Sequence, residues 1–179
     1  MSAIDLGASS STTVAPPRLS ALLSFPNPVN EVSARLVAGG VVLLSVSAII
    51  MGEPWLMAVI AYGFVARVLT GPTLSPLGQL VTRVITPRLG IAERPVAGPP
   101  KRFAQGIGVV FSLSAAVLAL GFDRMTAADI VLALLAAAAM LESVFGFCLG
   151  CRVFGVLIKL GVVPDEVCLR CADISAGLH

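Results

Sequence analysis

The sequence predicts an all-α membrane protein, with four transmembrane helices plus short interfacial helices. Three observations point there. Of 179 residues, 57% are hydrophobic and only 12% are charged, whereas soluble domains carry roughly 25% charged residues. The apolar residues gather in runs long enough for a bilayer, which needs about 20 residues per helix, and these runs have almost no polar face. Gly, Pro and capping residues punctuate the runs where helices should start and stop. The net charge of +2 and the 6% aromatic content leave no basic, aromatic-studded surface for nucleic acid.

Taken in order, residues 1–24 are rich in Ser, Ala, Thr and Pro and read as a disordered N-terminal tail. They lack an apolar core behind a basic start, so they are not expected to be a signal peptide. A four-helix membrane domain is expected over 25–163, followed by a cytoplasmic C-terminal cysteine segment over 164–179. Asn30 can cap a first helix that runs through Ala34 to Met51. Gly52-Glu53-Pro54 makes a tight turn, and Pro54 suits a helix start. The second span, Trp55 to Thr70, is short; Trp55 suits a membrane interface, and Gly71-Pro72 ends the helix.

Within 73–100, Leu77, Leu80, Val81, Val84 and Ile85 recur at helical spacing. They predict a short helix lying on the membrane surface. Lys101-Arg102-Phe103 opens the third span, which runs to Phe122. Ala104, Gly108, Ser112 and Ala116 fall at every fourth position and form a small-residue ridge for close helix packing. Thr126 and Asp129 are spaced as a capping box for the fourth span, Ala127 to Phe147. A further short helix is expected from Arg152 to Val163.

Basic residues set the orientation. The connection between spans two and three holds Arg83, Arg88, Arg94, Lys101 and Arg102. Arg18 and Arg35 flank the first span, and Arg152, Lys159 and Arg170 follow the fourth; the other turns hold Arg124. The positive-inside rule then gives a multi-pass protein of the inner (cytoplasmic) membrane with both termini cytoplasmic, provided that the short second span crosses.

The four cysteines form two C-x-x-C pairs, Cys148/Cys151 and Cys168/Cys171. That spacing lets two thiolates converge on a metal or close as a disulfide. On a cytoplasmic face a permanent disulfide is disfavoured. All four cysteines are candidate working thiols, and as an alternative they are candidate zinc ligands. A helix over 152–163 would advance about 18 Å, and the chain from Val163 to Cys168 reaches back at most about 17 Å. A single four-cysteine site in one chain is therefore only just attainable. Arg152 and Arg170 adjoin the cysteines and are candidate substrate-binding cations that would lower a thiol pKa. Cys148 ends the fourth span, where the helix dipole opposes negative charge. The expected reactive thiols are therefore Cys151 and one of Cys168 or Cys171.

Glu142 falls roughly 22 Å from the outer end of the fourth span, within the hydrocarbon, and Arg67 lies at comparable depth in the second. Charges at such depth are costly alone. The two are expected to form an intramembrane ion pair.

Several stretches together resemble a bacterial integral membrane family, domain of unknown function 4395. They are Phe25-Pro-Asn-Pro-Val-Asn30, Thr70-Gly-Pro-Thr-Leu-Ser-Pro-Leu77, Pro100-Lys-Arg-Phe-Ala-Gln105 and Phe147-Cys-Leu-Gly-Cys151. The resemblance spans about Phe25 to Cys171 and implies an integral membrane protein with no assigned reaction. Gly146-Phe147-Cys148 also resembles a rhodanese-associated small membrane domain, although no Pro follows the Cys here.

Three functions follow from these residues. The first is a cytoplasm-facing dithiol protein for thiol–disulfide exchange or sulfur carriage. The second is a zinc-stapled, non-enzymatic membrane scaffold or complex subunit. The third is a small sulfur-anion transporter with Arg67, Arg83 and Lys101 attracting the anion. The expected partners are the lipid bilayer, a homo-oligomer and a cytosolic thioredoxin-like or rhodanese-like protein. The sequence leaves the cofactor open, with zinc the one that the cysteine spacing allows.

Overall fold

A computed structural model describes residues 28–92 and 94–162. Four helices form a closed antiparallel bundle: α1 (Glu31–Met51), α2 (Pro54–Thr70), α5 (Gly98–Leu120) and α6 (Met125–Phe145). α1 packs on α6, α6 on α5, α5 on α2 and α2 on α1. Between α2 and α5 run the short α3 (Pro76–Leu80), a π-helical turn (Val81–Ile85) and α4 (Thr86–Leu89). α7 (Leu149–Lys159) follows α6 and packs mainly on α5. A two-residue antiparallel ladder pairs β1 (Val29–Asn30) with β2 (Pro95–Val96), joining the approach to α1 to the approach to α5.

The expected termini appear at α1 and α2. The Asn30 side chain accepts from Val32 N at 3.0 Å, Gly52 closes α1 in the left-handed region, and Pro54 occupies the first turn of α2. The capping box does not form. α6 starts at Met125, so Thr126 and Asp129 already lie inside the helix, where neither side chain caps the helix start. Ala128 N instead bonds the Arg124 carbonyl at 3.0 Å.

α1, α5 and α6 are long and apolar enough to cross a membrane. α2 is apolar too, but its 17 residues span only about 26 Å against a hydrocarbon core of about 30 Å. Large apolar side chains cover the outside, Ile50 at 79% exposure and Phe145 at 74%. Small ones make up much of the inside, with Ala48, Ala115 and Ala128 fully buried beside Met57 and Leu132. This inversion suits a lipid solvent, in which helices associate through close packing rather than water exclusion, and it marks a multi-pass membrane protein.

The small-residue ridge of α5 is the packing surface. A Cβ on Gly108 would fall 2.2 Å from the Phe64 ring of α2. Ser112 is fully buried, and its hydroxyl bonds the Gly108 carbonyl at 2.7 Å. Ala104 meets Gly150 of α7, whose added Cβ would lie 2.5 Å from Ala104 Cα.

The short helix expected within 73–100 is present over residues 76–89, but interrupted. Pro87 lacks an N–H and crowds the carbonyl four residues back. The Thr86 amide bonds Val81 O, five residues back. This π register brings Thr86 to the buried side, where its hydroxyl meets Ser33 of α1 at 3.0 Å.

Candidate functional site

One end of the bundle carries nearly all the chemistry-bearing side chains. Three contacts fix which termini share it. Arg35 near the start of α1 donates to the Ser143 and Val144 carbonyls at the end of α6, at 3.2 and 2.7 Å. Arg102 in α5 donates to the Val68 carbonyl near the end of α2 at 3.2 Å. Lys101 Nζ meets Glu142 Oε1 at 2.5 Å.

The cysteine pair sits where α6 gives way to α7. Gly146 closes α6 with φ +67, a conformation that costs a side-chain-bearing residue energy. Its amide satisfies the Glu142 carbonyl at 3.0 Å. The chain breaks there, and Cys148 becomes the N-cap of α7. Its sulfur accepts from Cys151 N at 3.4 Å and from Cys151 Sγ at 2.7 Å.

This placement reverses the expected electrostatics. Cys148 does not end the fourth span; it opens the next helix, where backbone amides favour a thiolate. The hydrogen bond from the Cys151 thiol holds the Cys148 pKa below the ordinary thiol range, with help from the Cys151 amide and Lys101, against burial and Glu142. The same hydrogen bond pushes Cys151 up, and burial and the Cys148 charge push it further. The two thiols are coupled, and their hydrogen bond favours the charge on Cys148. The sequence points to Cys151 as the reactive thiol of this pair, whereas this geometry favours Cys148.

Both cysteines line an open cavity of about 380 Å3. Glu31, Lys101, Phe147 and Arg152 contribute to its walls. Arg152 is exposed, with its guanidinium 5.0 Å from the Phe147 ring centre, so it belongs to the rim. Cys168, Arg170 and Cys171 lie outside the described residues. Among the described residues, no cluster of three or more His, Cys, Asp or Glu is arranged to hold a metal.

The expected Glu142–Arg67 ion pair is replaced by Glu142–Lys101. Arg67, buried at 6% exposure, directs Nε to Gln105 Oε1 at 3.0 Å and Nη1 to Ser75 Oγ at 3.4 Å. Its guanidinium also stands 4.4 Å from the Phe64 ring centre. Arg67 and Glu142 share only the walls of a small cavity of about 30 Å3. Sequence position gave the depth of these charges but not their rotation about each helix axis. Lys101 and Gln105, four residues apart on one face of α5, were the missed partners.

The model of one protein family, described as Domain of unknown function (DUF4395), matches residues 29–159. No curated protein and no solved structure matches the chain.

Proposed function

The chain belongs to the DUF4395 family, and from its own geometry we propose that it is a membrane dithiol protein that exchanges disulfides. The observation that carries this reading is the Cys148–Cys151 pair, with sulfurs 2.7 Å apart at the wall of an open cavity beside Lys101. A disulfide needs an S–S separation of about 2.05 Å, so closure asks for little movement.

The chemistry balances in two steps. The Cys148 thiolate attacks one sulfur of a substrate disulfide, forming a mixed disulfide and expelling the second substrate sulfur as thiolate. That thiolate takes the Cys151 proton. Cys151 then attacks Cys148 Sγ and expels the remaining substrate thiolate, which picks up a proton from water. The substrate disulfide gains two electrons, and the protein pair loses two to become a disulfide. A dithiol protein of the thioredoxin-like class restores the thiols.

The basic residues support a cytoplasmic orientation for this end. Arg35, Arg88, Arg94, Lys101, Arg102 and Arg152 gather at it, and the opposite turns carry Arg124. Basic residues stay on the cytoplasmic side. In this reading α2 completes a fourth crossing of an inner membrane.

The test uses the full chain carrying Cys168→Ser and Cys171→Ser, purified in detergent and exposed to a small disulfide. Two titratable thiols should disappear together, and Cys151→Ser should trap a mixed disulfide on Cys148. Thiols that stay titratable would reject the reading. In intact cells, a membrane-impermeant maleimide should leave the pair unlabelled.

A further inference from the structure

A second cavity, of about 190 Å3, lies between the start of α1, the end of α2, α3 and the start of α5. Pro28, Val29, Ala34 and Val37 give it apolar walls, and Arg67 and Lys101 reach it as cations. Both cations are more than nine-tenths buried. The bonds of Arg67 go to neutral oxygens of Gln105 and Ser75, and Lys101 meets the single carboxylate Glu142. Arg67 is therefore a buried cation whose hydrogen bonds reach no carboxylate. A buried charge in a membrane protein is costly and marks a ligand or ion pathway.

We propose that this cavity binds a carboxylate with an apolar body, its head held near Arg67 and Lys101 and its body against the aliphatic walls. The Arg67 guanidinium, bonded to neutral oxygens, matches a monoanion. The aliphatic walls favour an acyl chain over a compact oxyanion such as sulfate. The site is separate from the dithiol: the two cavities share Lys101, but Arg67 lines only this one and the cysteines only the other.

Equilibrium dialysis of decanoate against the full chain in neutral detergent tests the proposal. Wild-type protein should bind saturably, one molecule per chain. Arg67→Gln should weaken binding by about tenfold, the loss of one charge-assisted contact. Ala34→Leu, which fills the cavity without touching a charge, should weaken it similarly, and it keeps the test decisive should Arg67→Gln fail to fold. The readout is decanoate affinity and not thiol titration, so a failed dithiol reading would not sink this one. Affinity that climbs steadily with chain length assigns the ligand to the bilayer as a fatty acid; a plateau at short chains assigns it to the aqueous phase. Decanol or acetate binding as tightly as decanoate would overturn the proposal, as would unchanged affinity in Ala34→Leu.

Discussion

Lys101 Nζ lies 2.5 Å from Glu142 Oε1, and this bond joins the first turn of α5 to the last turn of α6 beside the cysteine cavity. Glu142→Gln removes the only carboxylate paired with a buried lysine among the described residues. Breaking one side of a buried pair costs about 3–5 kcal/mol. Thermal unfolding in detergent should show a large drop in Tm. Lys101→Met with Glu142→Leu should recover most of it, whereas neutralising Arg67 should not. Equal stability of the single variant and wild type would remove the pair from the architecture.

The Cys148 thiolate depends on a donor at position 151. With Cys168 and Cys171 replaced by Ser, alkylation of Cys148 by iodoacetamide can be followed against pH in two variants. Cys151→Ser keeps a hydroxyl donor, whereas Cys151→Ala removes it. The thiol hydrogen bond is the largest cause of the lowered Cys148 pKa, so its loss moves the reactive form to higher pH. The alkylation midpoint of the Ala variant should lie above that of the Ser variant. Coincident profiles would show that Cys151 does not tune its neighbour.

Gly150 lets α7 touch α5. An added Cβ would lie 2.5 Å from Ala104 Cα, and backbone cannot give way as a flexible side chain can. Gly150→Ala should destabilise by about 1–3 kcal/mol, the usual cost of overpacking. It should also disturb the Phe103–Phe154 ring contact, whose centroids lie 5.5 Å apart. Adding Ala104→Gly should restore part of the lost Tm by clearing space opposite.

The π turn can be weighed through Thr86. Thr86→Val leaves the buried Ser33 hydroxyl without its 3.0 Å partner, a loss of about 1–3 kcal/mol. Ser33→Ala added to Thr86→Val should cost less than the single change, because no orphan hydroxyl remains. A double variant as damaged as the sum of its parts would rule out that pairing.

Much of the bundle was legible in residue order because local chemistry fixes helix ends. Asn30, Gly52-Glu53-Pro54 and Gly71-Pro72 each act through their own backbone preferences, and the structure uses all three. The Thr126/Asp129 spacing misled, because the Arg124 carbonyl, accepting from Ala128 N, already starts α6 through a backbone bond. The site was half legible. C-x-x-C marks a dithiol, but its electrostatics depend on whether Cys148 ends one helix or opens another. That turns on Gly146 adopting φ +67, a choice made by the meeting of α6 and α7. The charge pairing was hidden for a related reason. Depth along a helix can be counted from sequence, whereas the facing direction of Lys101, Arg67 and Glu142 is set by how four helices pack.

The far end of the bundle has a use of its own. It consists of two tight connections, at Gly52-Glu53 and at Gly121–Arg124, remote from both cavities. An epitope or fluorescent reporter spliced into either hairpin would be displayed without disturbing sulfur or charge. Such insertions would let protease access in whole cells read out the orientation of the chain directly.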